Sequence, residues 1–140
     1  SINHLGQNLA TGYAVVSDER TKEDKKPITY GLNTLLQLQP MQYKQTISLE
    51  MKNGQVVPNS ASKELMSGIG LLAQHLYKIV PEAVIKPADE ANDIWAVDYQ
   101  KLIPILIKSI QEQQQEIEGL KMQNAAFYKE LQQIMALLEK

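Results

Sequence analysis

Two hydrophobic rhythms divide this chain near Asp98. Upstream, apolar positions come in short runs broken by Gly, Pro and charged stretches; downstream they hold one helical register. The first run, Tyr13-Ala14-Val15-Val16, reads as a short strand. From Ser17 to Lys26 the composition turns abruptly polar, as in a solvated loop or the first turn of a helix capped by Ser17 or Asp18. Beyond Pro27, Leu32, Leu35, Leu36 and Leu38 fit a short amphipathic helix that ends before Pro40. Met41 to Met51 is strand-like, with Tyr43, Ile47 and Leu49 as its expected buried members. Asn53-Gly54 is a strong hairpin signal, and Gln55-Val56-Val57 follows as the return strand before a loop from Pro58 to Ser62. Gly68 to Gln74 reads as a buried strand leading into a short helix through Leu76, Tyr77, Ile79 and Val80, stopped by Pro81. Ala83-Val84-Ile85 and Ile94-Trp95-Ala96-Val97 are two further short strands around the polar loop from Pro87 to Asp93.

From Asp98, a plausible N-cap, the period is that of a helix, with Pro104 expected to kink or restart it in its first turns. Leu106, Ile110, Gln113, Ile117, Leu120, Asn124, Phe127, Leu131, Ile134 and Leu138 then follow at alternating spacings of 4 and 3. Eight of these ten positions are apolar, so the register outlasts the drift that 3.6 residues per turn imposes on an ordinary surface helix. It is a coiled-coil seam. Ile110, Ile117, Asn124, Leu131 and Leu138 occupy position a; Leu106, Gln113, Leu120, Phe127 and Ile134 occupy position d. That mixture departs from the Ile-a, Leu-d pattern of dimers, and Phe127 is bulky for two strands, so a trimer is expected. Asn124 and Gln113 lower stability and in exchange specify register. The other reading is a long helix packed along its own domain, for which a chain of this size offers no matching surface about 50 Å long.

Composition narrows the classes further. With 140 residues, 44% hydrophobic, the chain suffices for one modest domain. Fourteen basic residues against 16 acidic ones leave no surface suited to nucleic acid. The chain has no cysteine, which removes disulfides, thiolate catalysis and zinc–sulfur sites. No apolar run approaches the roughly 20 residues that span a bilayer, so no membrane partner is expected. Ser1-Ile2-Asn3-His4 does not resemble a signal peptide and reads as an internal start. No carboxylate pair or histidine cluster has metal-ligand spacing, and no glycine-rich phosphate loop is present, so neither metal nor cofactor is expected.

Four segments resemble one family when taken in order: the intramolecular chaperone domains at the C-termini of phage endosialidases, tail fibres and neck appendages. The self-cleaving domain of a membrane-anchored transcription factor regulating myelin formation also belongs to it. Ser17-Asp18-Glu19-Arg20-Thr21-Lys22 looks like its S-D-x-R-x-K signature, with Thr21 where a Leu is common. Leu35 to Tyr43 is similar to its L-x-L-x-P-x-x-Y stretch. Gly70-Leu71-Leu72-Ala73-Gln74, followed by Val80-Pro81-Glu82-Ala83-Val84, is like G-x-x-A-Q…P-E-x-V. Val97 to Pro104, running into the long helix, is the fourth.

The resemblance implies an α+β fold: a small globular domain of short strands and helices, then a long C-terminal helix forming a trimeric coiled coil. Its expected divisions are 1–16 as the end of an upstream fibre region, 17–97 as the chaperone and autoprotease, and 98–140 as the trimerisation helix. It implies self-cleavage between Val16 and Ser17 in an assembled homotrimer, with Ser17 as nucleophile and Lys22 as general base. The partners are then the other two copies and the upstream fibre of the same polypeptide. Assembly would take place in the host cytoplasm, with the chaperone released from the mature virion's tail fibre after cleavage. A serine hydroxyl needs a base, and a lysine serves as one only when desolvation or nearby cations bring it down from about 10.4. Arg20, Lys25 and Lys26 are near enough in sequence to contribute, opposed by Glu19, Glu23 and Asp24. Five residues separate Ser17 from Lys22, which in a regular helix leaves them about 140° apart, so Ser17 must lie in a bent entry segment.

Blander readings stand beside these. Taken alone, Ser17 is a helix cap and Lys22 a solvated lysine. Asp18 and Arg20 are supporting candidates from the motif, while Gln74 is either a polar contact near the site or a satisfied buried amide. His4 and His75 are structural or solvated, and Tyr43, Trp95 and Tyr99 pack the core or an interface. A non-cleaving trimeric foldon or receptor-binding tip is the alternative function; a coiled-coil adaptor for a cellular partner is a further one.

Overall fold

The computed structural model describes residues 15–46, 48–59, 61 and 65–140. Expectations placed on Tyr13, Ala14, Ile47, Ser62 and His4 lie outside the described residues. In chain order a 3-10 turn at Glu19–Thr21 precedes helix α1 (Leu32–Leu35) and strands β1 (Met41–Gln45), β2 (Leu49–Lys52), β3 (Gln55–Pro58) and β4 (Met66–Gly70). Helix α2 (Ala73–Tyr77), a 3-10 turn at Pro81–Ala83, and strands β5 (Val84–Ile85) and β6 (Ala96–Val97) follow. Another 3-10 turn, Tyr99–Leu102, opens into α3 (Ile103–Leu138). This is the α+β arrangement expected from the sequence, short elements first and one long helix last.

The strands form three antiparallel pairs among the described residues: β1 with β4, β2 with β3, β5 with β6. The Asn53-Gly54 turn is as expected: both residues have positive φ, 52° and 75°, which a type I′ hairpin requires. β1 and β4 pair Tyr43 opposite Gly68 and Met41 opposite Gly70. The Tyr43 ring lies across Gly68, where an added Cβ would stand 2.7 Å from Cε2 and the ring would have to shift to admit it. Tyr99 closes the other end of β4, its hydroxyl accepting from the Leu71 N–H at 2.8 Å.

Several expectations need correction. Val15 and Val16 belong to no strand and are exposed. The Met41–Met51 run is not one strand: it divides into β1 and β2, which pair with different partners. Leu49 is exposed, although alternation marks it for burial, because its hairpin has no layer packed over that face. Pro58 belongs to β3, at its end, where a missing N–H is tolerated. β4 is no buried strand, since a two-stranded sheet covers one face only and Ile69 is 79% exposed on the other. Ala83 lies in a 3-10 turn, and Ile94 and Trp95 precede β6 rather than form it.

The core is small: Leu76, Val80, Ala83, Leu102 and Ile105 are buried together, with Ile28, Tyr30, Leu38, Leu71, Ile79, Val84 and Val97 packed around them. Asp98 caps the 3-10 turn that opens α3, accepting from the Gln100 N–H. Pro104 causes no break, because it sits in the first turn, where a missing N–H costs nothing. The buried side chains of α3 are Ile105 and Ser109, on the same face as Leu102 of the preceding turn, and the Ser109 hydroxyl is satisfied by the Ile105 carbonyl at 2.8 Å. The seam face, beginning at Leu106 and Ile110, lies roughly a quarter turn away and is exposed. The helix is 36 residues long, about 54 Å.

Candidate functional site

The polar run after Val16 folds into a tight reversal. Asp18 is extended, and its carboxylate accepts from the Arg20 N–H at 2.9 Å, capping the 3-10 turn. Of the two caps open in sequence, Asp18 is therefore the one used. The Thr21 N–H and hydroxyl both donate to the Asp18 carbonyl, at 3.1 and 2.7 Å, and the Lys22 N–H donates to the Glu19 carbonyl at 3.1 Å. Thr21, standing where the family favours Leu, thus closes the turn with a hydrogen bond that Leu cannot make. Lys22 is extended again, which aims its side chain back along the turn. Its Nζ lies 2.7 Å from Ser17 Oγ. The bent segment inferred from the five-residue spacing is this turn, flanked by extended residues.

The charges around the pair are compensated. Arg20 grips Asp18 as a fork, Nη2 to Oδ2 at 2.6 Å and Nε to both carboxylate oxygens at 3.1 Å. The Arg20 guanidinium, aided by the Arg20 N–H, holds the Asp18 carboxyl below its usual range, and the carboxylate holds Arg20 above its own. Lys25 is paired with Glu19 at 2.7 Å. Two of the three cations that could press on Lys22 are each tied to a carboxylate. Ser17 and Lys22 are both exposed in the single chain.

Gln74 stands apart. It is exposed on α2, in the wall of an open cleft that Tyr43, Trp95 and Tyr99 also line, and so is not a buried amide. His75, next to it, is exposed as well. Tyr77 and Trp95 meet edge to face at 5.3 Å, with Lys86 Nζ over both rings. Among the described residues no group of acidic or histidine side chains could hold a metal ion, and no helix is long and apolar enough to cross a membrane.

Two residues at the start of α1 and on α3 carry no sequence motif. Glu112, on α3, accepts from the Leu32 N–H at 2.7 Å and supplies the N-terminal cap that Gly31 cannot. Gly31 is buried against that carboxylate: an added Cβ would stand 2.6 Å from Oε1. In sequence Glu112 is an ordinary surface position of the heptad, four residues after Lys108, and nothing distinguishes it from a solvated ion pair.

Residues 17–85 match the family described as chaperone of endosialidase. The long tail fiber proteins Gp37 of Enterobacteria phage M1 and of Enterobacteria phage Ox2 are each 32% identical over 106 residues, covering 75% of this chain. The chain spans 38% of the length of these curated relatives.

Proposed function

We infer the function from a family assignment: residues 17–85 of this chain belong to the chaperone-of-endosialidase family, and the chain carries the chaperone domain of a phage tail fibre. The finer reading is that three copies zip along α3, bring three upstream fibre chains together in register, and then cut themselves free between Val16 and Ser17. Zipping of a local coiled coil precedes the slower pairing of distant fibre strands, and tethering raises the effective concentration of those strands.

The 2.7 Å contact between Lys22 Nζ and Ser17 Oγ carries the cleavage reading. The reaction balances with these residues alone and water. A neutral Lys22 takes the Ser17 hydroxyl proton as Oγ attacks the Val16 carbonyl carbon. The tetrahedral carbon then collapses: its bond to the Ser17 nitrogen breaks, that nitrogen receives the proton from Lys22, and an ester joins Val16 to Oγ. Water hydrolyses the ester, leaving a carboxylate on Val16 and a free amine and hydroxyl on Ser17. Each molecule reacts once.

Exposure of the pair supplies the timing. In the single chain Nζ donates to Oγ, the wrong direction for a base. The same heavy-atom separation serves the reverse donation once partner subunits cover the amine. Cutting then waits for assembly, and the mature fibre, deprived of its folding aid, is kinetically hard to unfold. Unburied surface supports the assembly. Every apolar seam residue from Leu106 to Leu138 is exposed in the single chain.

Mass spectrometry of the wild type beside Ser17→Ala and Lys22→Ala tests this. The wild type should yield a fragment beginning at Ser17; both variants should stay whole and remain trimeric. Cutting that persists in Ser17→Ala overturns the dyad. An uncut, trimeric wild type leaves the chaperone role and makes the domain a non-cleaving tip.

A further inference from the structure

We propose that Glu112 is the positioning residue for the cut, locking the segment that carries Ser17 and Lys22 to the base of the assembling helix. The proposal rests on the self-cleavage reading above. Four observations meet on it. The Glu112 carboxylate accepts from the first N–H of α1 at 2.7 Å, across 80 residues of sequence. Gly31 has no side chain where that carboxylate passes, so a Cβ added there would push the Glu112 carboxylate out of its present place. Lys108 Nζ, one helical turn back on α3, braces the second oxygen at 3.3 Å. Pro27 and Ile28 share a groove with Pro104, Ile107 and Lys108, so the chain between the dyad and α1 also rests on α3.

Helix α1 has four residues, too few to hold its position by its own hydrogen bonds. Its place is set by what grips its end. Only nine positions separate Lys22 from Gly31, and Tyr30 in that stretch donates to Glu82 at 3.0 Å, fixing its far side. Glu112 immediately precedes Gln113, a seam residue. Whatever rotation the partner helices impose on α3 is therefore passed directly to α1 and the segment before it. The Leu32 N–H and the Lys108 ammonium keep the Glu112 carboxyl below its usual range, so it stays ionised at neutral pH.

Single-turnover cleavage by the full chain separates geometry from charge. Glu112→Gln keeps an acceptor at the same reach and loses the charge; Glu112→Asp keeps the charge and retracts it. Glu112→Gln should cut within a few-fold of the wild type. Glu112→Asp and Glu112→Ala should remain trimeric by light scattering and cut on the order of 100-fold more slowly, as for a misplaced reacting group. Should Glu112→Ala not form a trimer, the Gln and Asp pair decides alone. Wild-type rates in Glu112→Asp, or a loss in Glu112→Gln as deep as in Glu112→Asp, overturn the positioning role and leave the dyad standing. An uncut wild type overturns the self-cleavage reading and this inference with it.

Discussion

At the scale of single residues, Lys22 is the sharpest point. If it is the base, a side chain of equal reach that cannot lose its proton must fail in its place. Arginine is such a side chain, protonated at any physiological pH. Lys22→Arg should therefore keep the fold and the trimer and release no fragment by mass spectrometry; cutting in that variant would assign Lys22 a purely electrostatic part. Ser17 and Lys22 are legible in sequence because a motif marks them and a tight turn needs only neighbouring residues to form. Glu112 is illegible for the opposite reason. Its partner lies 80 residues away, and a carboxylate that caps a distant helix looks, in sequence, like any solvated charge beside Lys108.

The same carboxylate makes its bond dependent on pH, and the sign is set. Its native value lies below the ordinary 4.5, so the stabilisation is complete above 4.5 and fades as pH falls through the depressed native value. Glu112→Ala should lower Tm relative to the wild type at pH 7, and the gap between the two melting curves should close once the pH falls below that window.

Among the elements, α3 is the most readable and the strands the least. The heptad stripe marks α3 as one long helix from Ile103 to Leu138, because its register holds over the whole length. Period-two alternation in Met41–Met51 marks extended chain but is silent on pairing. β2 and β3 were legible through Asn53-Gly54, a local turn, whereas β1 reaches β4 across 20 residues and more, and only the Tyr43–Gly68 fit explains the register. Leu49 and Ile69 are exposed because two-stranded sheets leave a face uncovered that a larger sheet would bury, and alternation does not encode the number of strands. The seam carries its own test. Ile117→Lys with Leu120→Lys places charge in the middle of the stripe and should give a monomer by sedimentation. That monomer should also remain uncut, since nothing then covers Lys22. A cutting monomer would mean the dyad needs no partner.

For the molecule as a whole, the small core decides the behaviour. Leu76, Val80, Ala83, Leu102 and Ile105 are too few to stabilise 140 residues by themselves, and most large apolar side chains face water. Loss of even one is felt: Leu76→Ala, at a site 2% exposed, should cost about 2–5 kcal/mol in denaturant unfolding. If the proposed trimer forms, its stability should rise with protein concentration, which melting at a series of dilutions would read.

The two separate faces of the long helix have one more consequence. Each globular body hangs from a flank of its own helix, like a sail rigged to one side of a mast; in the trimer proposed above, the exposed stripe a quarter turn away is what the other two masts would meet. Adding a single residue between Glu112 and Gln113 would swing every sail about 100° around its mast without altering a contact within either half. In the proposed trimer, the distance along the chain from clamp to stripe is thus a gauge for where the three turns that carry Ser17 and Lys22 would point.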